Sequence, residues 1–230
     1  MHVTSESPIL YFGTPVVLIS TMNEDGSVNL APMSSAWWLG WRCVLGLGAS
    51  SKTTENLLRA GECVLNLPSD NQVDAVDALA RTTGSDPVPE FKVVRGYHHE
   101  PDKFGVAGLT PAASEVVTPP RALECPVQLE ATLSGSRALA GEDPRFAGFA
   151  LAIEVGIERL HLSEDILLAG NPNRVDPDRW RPLIMSFAEF YALGDGVIRP
   201  SRLAEIPQDQ YPRAGAHPSV PVGSVAAVGG

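Results

Sequence analysis

A hydrophobic run, an acidic turn containing glycine and a second hydrophobic run (PVVLISTM, NEDG, SVNLAPM) commit residues 15–33 to an antiparallel hairpin. β-Branched side chains suit a pleated surface, and the Asn23 to Gly26 turn supplies the reversal between the two runs. RCVLGLG from Arg42 and ECVLNLP from Glu62 read as two more strands. Between them lies a helix from Lys52 to Ala60, stopped by Gly61. LECPVQLEATLSG from Leu123 and FAGFALAIEVGIERLHL from Phe146 add later strands, the second apolar enough to be central. Strands joined in this way predict a mainly β architecture, an antiparallel barrel with peripheral helices.

Two segments stand apart from the strands. DNQVDAVDALAR from Asp70 places Val73, Val76, Leu79 and Ala80 at helical spacing, with Asp74 and Asp77 opposite, and predicts an amphipathic cover helix. Thr82 to Glu100 carries Gly84, Pro87, Pro89 and Gly96, and predicts a long loop packed over something. One domain is expected over residues 1–205. Residues 206–230 turn to Pro, Ala, Gly, Ser and Val and read as a tail.

Charge narrows the function classes. A formal net charge of -10 argues against a nucleic-acid groove or an anionic membrane surface. The N-terminus lacks a signal-peptide pattern and no run reaches the ~20 apolar residues of a membrane span, so a cytoplasmic protein is expected. Cys43, Cys63 and Cys125 are odd in number and widely spaced, and read as reduced, buried thiols.

Two clusters at strand ends carry the chemistry: NLAPMSSAWW from Asn29 and ASSKTTENLL from Ala49. Each offers small residues, hydroxyls and backbone N–H groups, and the second adds Lys52 at a helix start. A helix N-terminus presents unpaired donors and the positive end of a dipole, so Ser50, Ser51, Lys52 and Thr53 suit a phosphate. Ordinary N-capping asks for the same residue types. Gly46, Gly48 and Ala49 strip bulk from the strand exit, which implies a close approach to that backbone.

These residues resemble the flavin reductase-like, FMN-binding split-barrel family. The family order is a strand, an acidic-Gly hairpin, N-x-A-P-M-S, a strand, K-T-x-x-N and a further strand. This chain shows NEDG, NLAPMSS, KTTEN and ECVLNLP in that order, and DKFGVAGLT from Asp102 and RALECPVQLEA from Arg121 also match, over about residues 9–205. The resemblance implies a split barrel that binds FMN, or FAD, and an NAD(P)H-dependent flavin reductase taking hydride from NADH or NADPH. It implies that Asn29, Ala31, Pro32, Ser34 and Ser35 border the ring and ribityl chain. Ser50, Ser51, Lys52 and Thr53 would then hold the phosphate, with Asn56 one turn on. It also implies a homodimer and a possible partner monooxygenase. Where the family often carries an Arg before K-T, this chain has Ser51.

The remaining residues divide between two readings. Trp37, Trp38 and Trp41 either stack on a bound ring or fill a barrel mouth or subunit interface. His98 and His99 either line a nicotinamide site or form a solvated pair, and His161 reads as structural. Glu124 and Cys125 are strand neighbours and point to opposite faces. No G-x-S-x-G, H-E-x-x-H, zinc-spaced Cys/His set or Rossmann G-x-G-x-x-G is present, so no catalytic triad or metal is expected. A cofactor-binding flavoprotein without reductase turnover, and a purely structural interaction module, are the alternatives.

Overall fold

The computed structural model describes residues 1–194 and 196–205. The chain divides into two units, Met1–Val197 and Ile198–Gly230. Of the second, the described part contains one 3-10 turn, Arg202–Glu205. The tail expected over 206–230 lies outside the described residues.

The first unit is built on one antiparallel sheet of seven strands. In chain order these are β1 (Val17–Met22), β2 (Val28–Met33), β3 (Ala36–Leu39), β4 (Arg42–Gly48), β5 (Glu62–Leu67), β6 (Val127–Ala138) and β7 (Ala150–Leu162). Helix α1 (Lys52–Ala60) follows β4, and α2 (Val73–Ala78) follows β5. The spatial order is β2-β1-β5-β6-β7-β4-β3. Its two ends, β2 and β3, are consecutive in the chain yet share no ladder among the described residues, so the sheet curls into a split barrel.

Both faces of the central strands are buried, which explains their unbroken apolar runs. Val17, Ile19, Leu45, Leu65, Leu129 and Ile153 fill the interior with Leu57 of α1. Val16, Leu18 and Leu30 turn outward, where Val76, Leu79 and Phe104 cover them. This outer layer is the expected cover helix, shortened: a 3-10 turn over Asp70–Gln72 precedes it, and Ala80 is exposed. The three cysteines are free and buried, with burial pushing the Cys43 and Cys125 thiols up to about 12. No helix among the described residues is long and apolar enough to cross a membrane.

Two elements differ from the sequence reading. The Trp-rich connection is itself a strand: β3 pairs with β4, Trp38 opposite Cys43. Trp38 and Trp41 pack on the interior while Trp37 stays exposed at the sheet edge. The long loop is pinned at its base, because Thr82–Thr83 pairs in parallel with His98–His99. That bridge, with the Glu90–Val93 helix inside it, folds the segment against the end of the first hairpin.

Candidate functional site

Helix α1 begins where β4 ends, and its first turn is ordinary in one respect. Ser51 is the N-cap: its Oγ accepts from the Thr54 amide at 3.2 Å, and Thr54 Oγ1 donates to the Gly48 carbonyl at 2.8 Å. The capping role therefore belongs to Ser51. Ser51 N–H bonds Gly48 and Glu55 N–H bonds Ser51, whereas the amides of Lys52 and Thr53 meet no acceptor among the described residues. Those two donors, beside exposed Ser50, are the open part of the helix end. Lys52 Nζ lies 2.7 Å from Glu55 Oε1, its side chain 19% exposed. Gly61, in the left-handed conformation, closes the other end through its N–H to Leu57.

Thr53 and Asn56 turn inward. Asn29 Nδ2 donates to Thr53 Oγ1 at 3.1 Å and to Thr21 Oγ1 at 3.3 Å. Asn56 Nδ2 donates to Thr21 Oγ1 at 3.1 Å and to Asn23 Oδ1 at 2.8 Å. This buried network locks α1 to the β1–β2 hairpin. It leaves Asn29 Oδ1 unpartnered although the residue is only 1% exposed.

Asn29 also lines a cavity of about 370 Å3, within the range of small-molecule sites, although its Oδ1 is itself closed off against Gly84. Asn29, Lys52, Gly84 and His99 line it, with Glu24, Asp25, Asp86 and Glu100. Gly84 has no alternative there: a Cβ would sit 2.5 Å from Asn29 Oδ1 and 3.1 Å from Lys52 Cγ. His99 Nδ1 is a second buried atom without a partner on the same wall. The other named residues lie along the strands. Ala31 and Pro32 are half-buried on β2, and Ser34 and Ser35 join β2 to β3. The close approach at Gly46 comes from the chain itself, since Ser35 O accepts from Gly46 N–H at 2.7 Å. Gly48 opens on empty space. Asn29 is three residues from Pro32, about 10 Å along the strand.

The family model for the flavin reductase like domain matches residues 9–167, more than half of the chain. The chain belongs to the flavin reductase like domain family. An uncharacterized Bacillus subtilis protein, YdfE, is 37% identical over 189 residues, covering 82% of this chain and 88% of that one. Flavoredoxin of Desulfovibrio vulgaris aligns with a TM-score of 0.69 at 20% identity, over 89% of this chain and 100% of that one. Nitrilotriacetate monooxygenase component B from Bacillus cereus aligns with a TM-score of 0.64 at 19% identity, over 83% and 88%. At those identities the two solved structures show the fold. The expected split barrel is thereby established for this member of the flavin reductase like family.

The sequence named His99 only as one of two readings, and it missed Gly84 and two further parts of this family member. His99 and Gly84 reach the cavity only because the 82–83 and 98–99 bridge folds the loop back; the two glycine- and histidine-bearing ends are 15 residues apart in sequence. Lys103 is 3% exposed and takes part in no ion pair among the described residues. Burial, with Lys92 nearby, pushes its pKa down to about 8. Nothing in the DKFG segment, where Asp102 and Lys103 stand together as on an ordinary surface, signals that burial.

The third is a carboxylate–imidazole pair. Glu130 is fully buried; its Oε1 is 2.7 Å from His161 Nε2, and its carboxylate accepts from the amides of Glu115, Val116 and Val117. Burial pushes its pKa up, but the amides of Glu115 and Val116 and the His161 contact outweigh this and hold it below the usual value. His161 borders a larger cleft of about 830 Å3 with Arg121, Gln128 and Arg181. The cationic side chains there are committed: Arg121 to Ala113 O and Gln128, Arg181 to Leu193 and Gly194 carbonyls. Pro32, Leu18, Asn66, Gln128 and His161 are successive ladder partners, so His161 lies four strands, about 19 Å along the sheet, from Pro32. The smaller cavity, with its two unpartnered atoms, is the better candidate.

Proposed function

We propose that the protein is an FMN-binding, NAD(P)H-dependent flavin reductase. The observation that carries this is the helix end at Lys52. Two amides without a partner among the described residues, the exposed Ser50 hydroxyl and the Lys52 side chain, whose ammonium rests on Glu55 at 2.7 Å, belong to one helix start. Those donors fit a phosphate.

The amides of Lys52 and Thr53, with Ser50 and Lys52 Nζ, would hold the phosphate of FMN. Lys52 leaves Glu55 to do so; an exposed i,i+3 pair of this kind stabilises by only about 0.3–0.5 kcal/mol. Ser51, Thr53 and Asn56 act one step back, capping the helix and fixing it to the hairpin. Pro32, Ser34 and Ser35 would border the ring, with Ala31 and Asn29 along the ribityl chain. A bound flavin supplies the redox chemistry, accepting hydride from a reduced nicotinamide. The protein's part is to orient and to exclude water, and no side chain on the cradle is required as nucleophile or acid.

Membership of the family supports the reductase reading. FAD is accommodated by the same phosphate contacts. A homodimer is supported by the edge strand β3, which exposes Trp37 and Leu39. A partner monooxygenase as recipient of reduced flavin is suggested by the likeness to a monooxygenase component. The test is anaerobic NADH and NADPH oxidation with FMN, FAD and riboflavin. No consumption with any pair rejects the reductase reading.

A further inference from the structure

The turn between β6 and β7 carries exposed aromatic residues to the start of helix α1. Strand β7 runs antiparallel to β4 and sets Ala150 opposite Gly48, so residues 139–149 reach the point where β4 gives way to the helix. There the Phe149 carbonyl accepts from Ala49 N–H at 3.0 Å. Phe149 is 71% exposed and Phe146 49%. The turn that presents them is internally bonded: the Asp143 carbonyl accepts from the Phe146 and Ala147 amides, and the Phe146 carbonyl from Phe149 N–H, each at 2.9 Å. Arg145, paired with Asp143 at 2.7 Å, lies 5.6 Å from the centroid of the Phe146 ring. Leaving two phenyl rings in water on a bonded turn forgoes the gain of burying them, and a flat ligand beside that turn would recover it.

Resting on the flavin reductase reading above, we propose that this turn is an adenine platform, which gives FAD a hold on the protein that FMN lacks. FMN ends at its phosphate, whereas FAD continues through a second phosphate and a ribose to a flat base. Ala49 precedes Lys52 by three residues, so their Cα atoms are at most about 11 Å apart, a distance that such an extension covers. The strand exit leaves room: a Cβ on Gly48 would meet no atom within 4 Å, and its ladder partner is the small Ala150. Every base has a π-face, so an aromatic side chain holds adenine by stacking without hydrogen bonds to its edge. Phe149, the more exposed ring and the one whose backbone is tied to Ala49, is assigned that contact. Phe146, steadied by the guanidinium of Arg145, supports it from the same turn.

The experiment measures Kd for FAD, FMN and riboflavin by calorimetric titration, in the native protein and in Phe149→Ala, Phe149→Trp and Phe146→Ala. Melting temperature checks folding, and size-exclusion chromatography reads the oligomeric state. The native protein is expected to bind FAD roughly five-fold or more tightly than FMN. Phe149→Ala should bring the two within about two-fold of each other by weakening FAD alone, and Phe146→Ala should narrow the gap by less. Phe149→Trp, which keeps a stacking face, should retain the preference.

Equal affinity of the native protein for FAD and FMN overturns the proposal, as does a preference that Phe149→Ala leaves unchanged. Should Phe149→Ala weaken all three flavins alike, or dissociate an oligomer without changing the FAD to FMN ratio, the turn is a structural or subunit contact and the proposal fails. Binding of none of the flavins by the native protein defeats the flavin reading as a whole, a result distinguishable from a missing preference.

Discussion

Gly84→Ala probes the contact between loop and helix on which the candidate site depends. The added methyl would lie 2.5 Å from Asn29 Oδ1 and 3.1 Å from Lys52 Cγ. Ordinary carbon contacts need about 3.5 Å, so one partner must retreat by about 1 Å. Asn29 cannot do so freely, because Thr21 and Thr53 hold its Nδ2 at 3.3 and 3.1 Å. Breaking one such bond costs about 1 kcal/mol net, and overpacking of a fitted site costs about 1–3 kcal/mol. The loop is tethered as well, through Glu100 N–H to Thr83 O at 3.0 Å and Thr82 Oγ1 to Leu79 O at 2.8 Å. A stability loss of about 1–3 kcal/mol follows, or a fall in Tm of about 3–10 °C for a chain of this size. FMN affinity should fall with it, since the displaced wall is the cavity's. Differential scanning calorimetry and FMN titration read the two effects, with Ser85→Ala as a neighbouring control. A variant that melts and binds like the native protein would refute the argued contact.

Lys52→Ala should weaken FMN by about 1–3 kcal/mol while sparing riboflavin, which lacks the phosphate; equal losses for both, by fluorescence titration, would remove Lys52 from the phosphate. Glu55→Gln should tighten FMN about two-fold, because the competing carboxylate at 2.7 Å is gone. Lys103→Met tests the buried amine. The folded-state pKa of about 8 lies below the unfolded 10.5, so the protonated amine opposes folding below pH 8, by on the order of 3 kcal/mol. The variant should therefore melt higher than the native protein at pH 7, and the gap should close between pH 8 and about 10.5. Glu130→Gln should cost about 1–3 kcal/mol at pH 7, since it removes the charge that the amides of Glu115 and Val116 and the His161 ring stabilise. With the native carboxyl held below its usual value of 4.5, that difference should fade as pH falls through and below it. Thermal melts across pH check both.

Much of the local architecture was written in short-range pattern. The β1–β2 hairpin, helix α1 from Lys52 to Ala60 and its stop at Gly61 follow from alternation, capping and glycine chemistry, each acting within a few residues. The strand β3 escaped that reading because AWWL is short and reads as an aromatic linker until β4 supplies its hydrogen bonds. Helix α2 came out shorter than its periodicity suggested, since Asp70–Gln72 tightens into a 3-10 turn that anchors on Arg181.

The candidate site divides along the same line. Local residue types placed donors at Lys52 and small residues at the strand ends, and a helix terminus leaves amides open whatever surrounds it. Which of those groups stay open was a tertiary matter. Folding turned Thr53 and Asn56 into the hairpin, set Ser35 on Gly46, and brought Gly84 and His99 from a distant loop against Asn29. Hydrogen-bond partners within one turn are set by chain geometry, but satisfaction of a buried carboxamide depends on atoms that only long-range packing delivers.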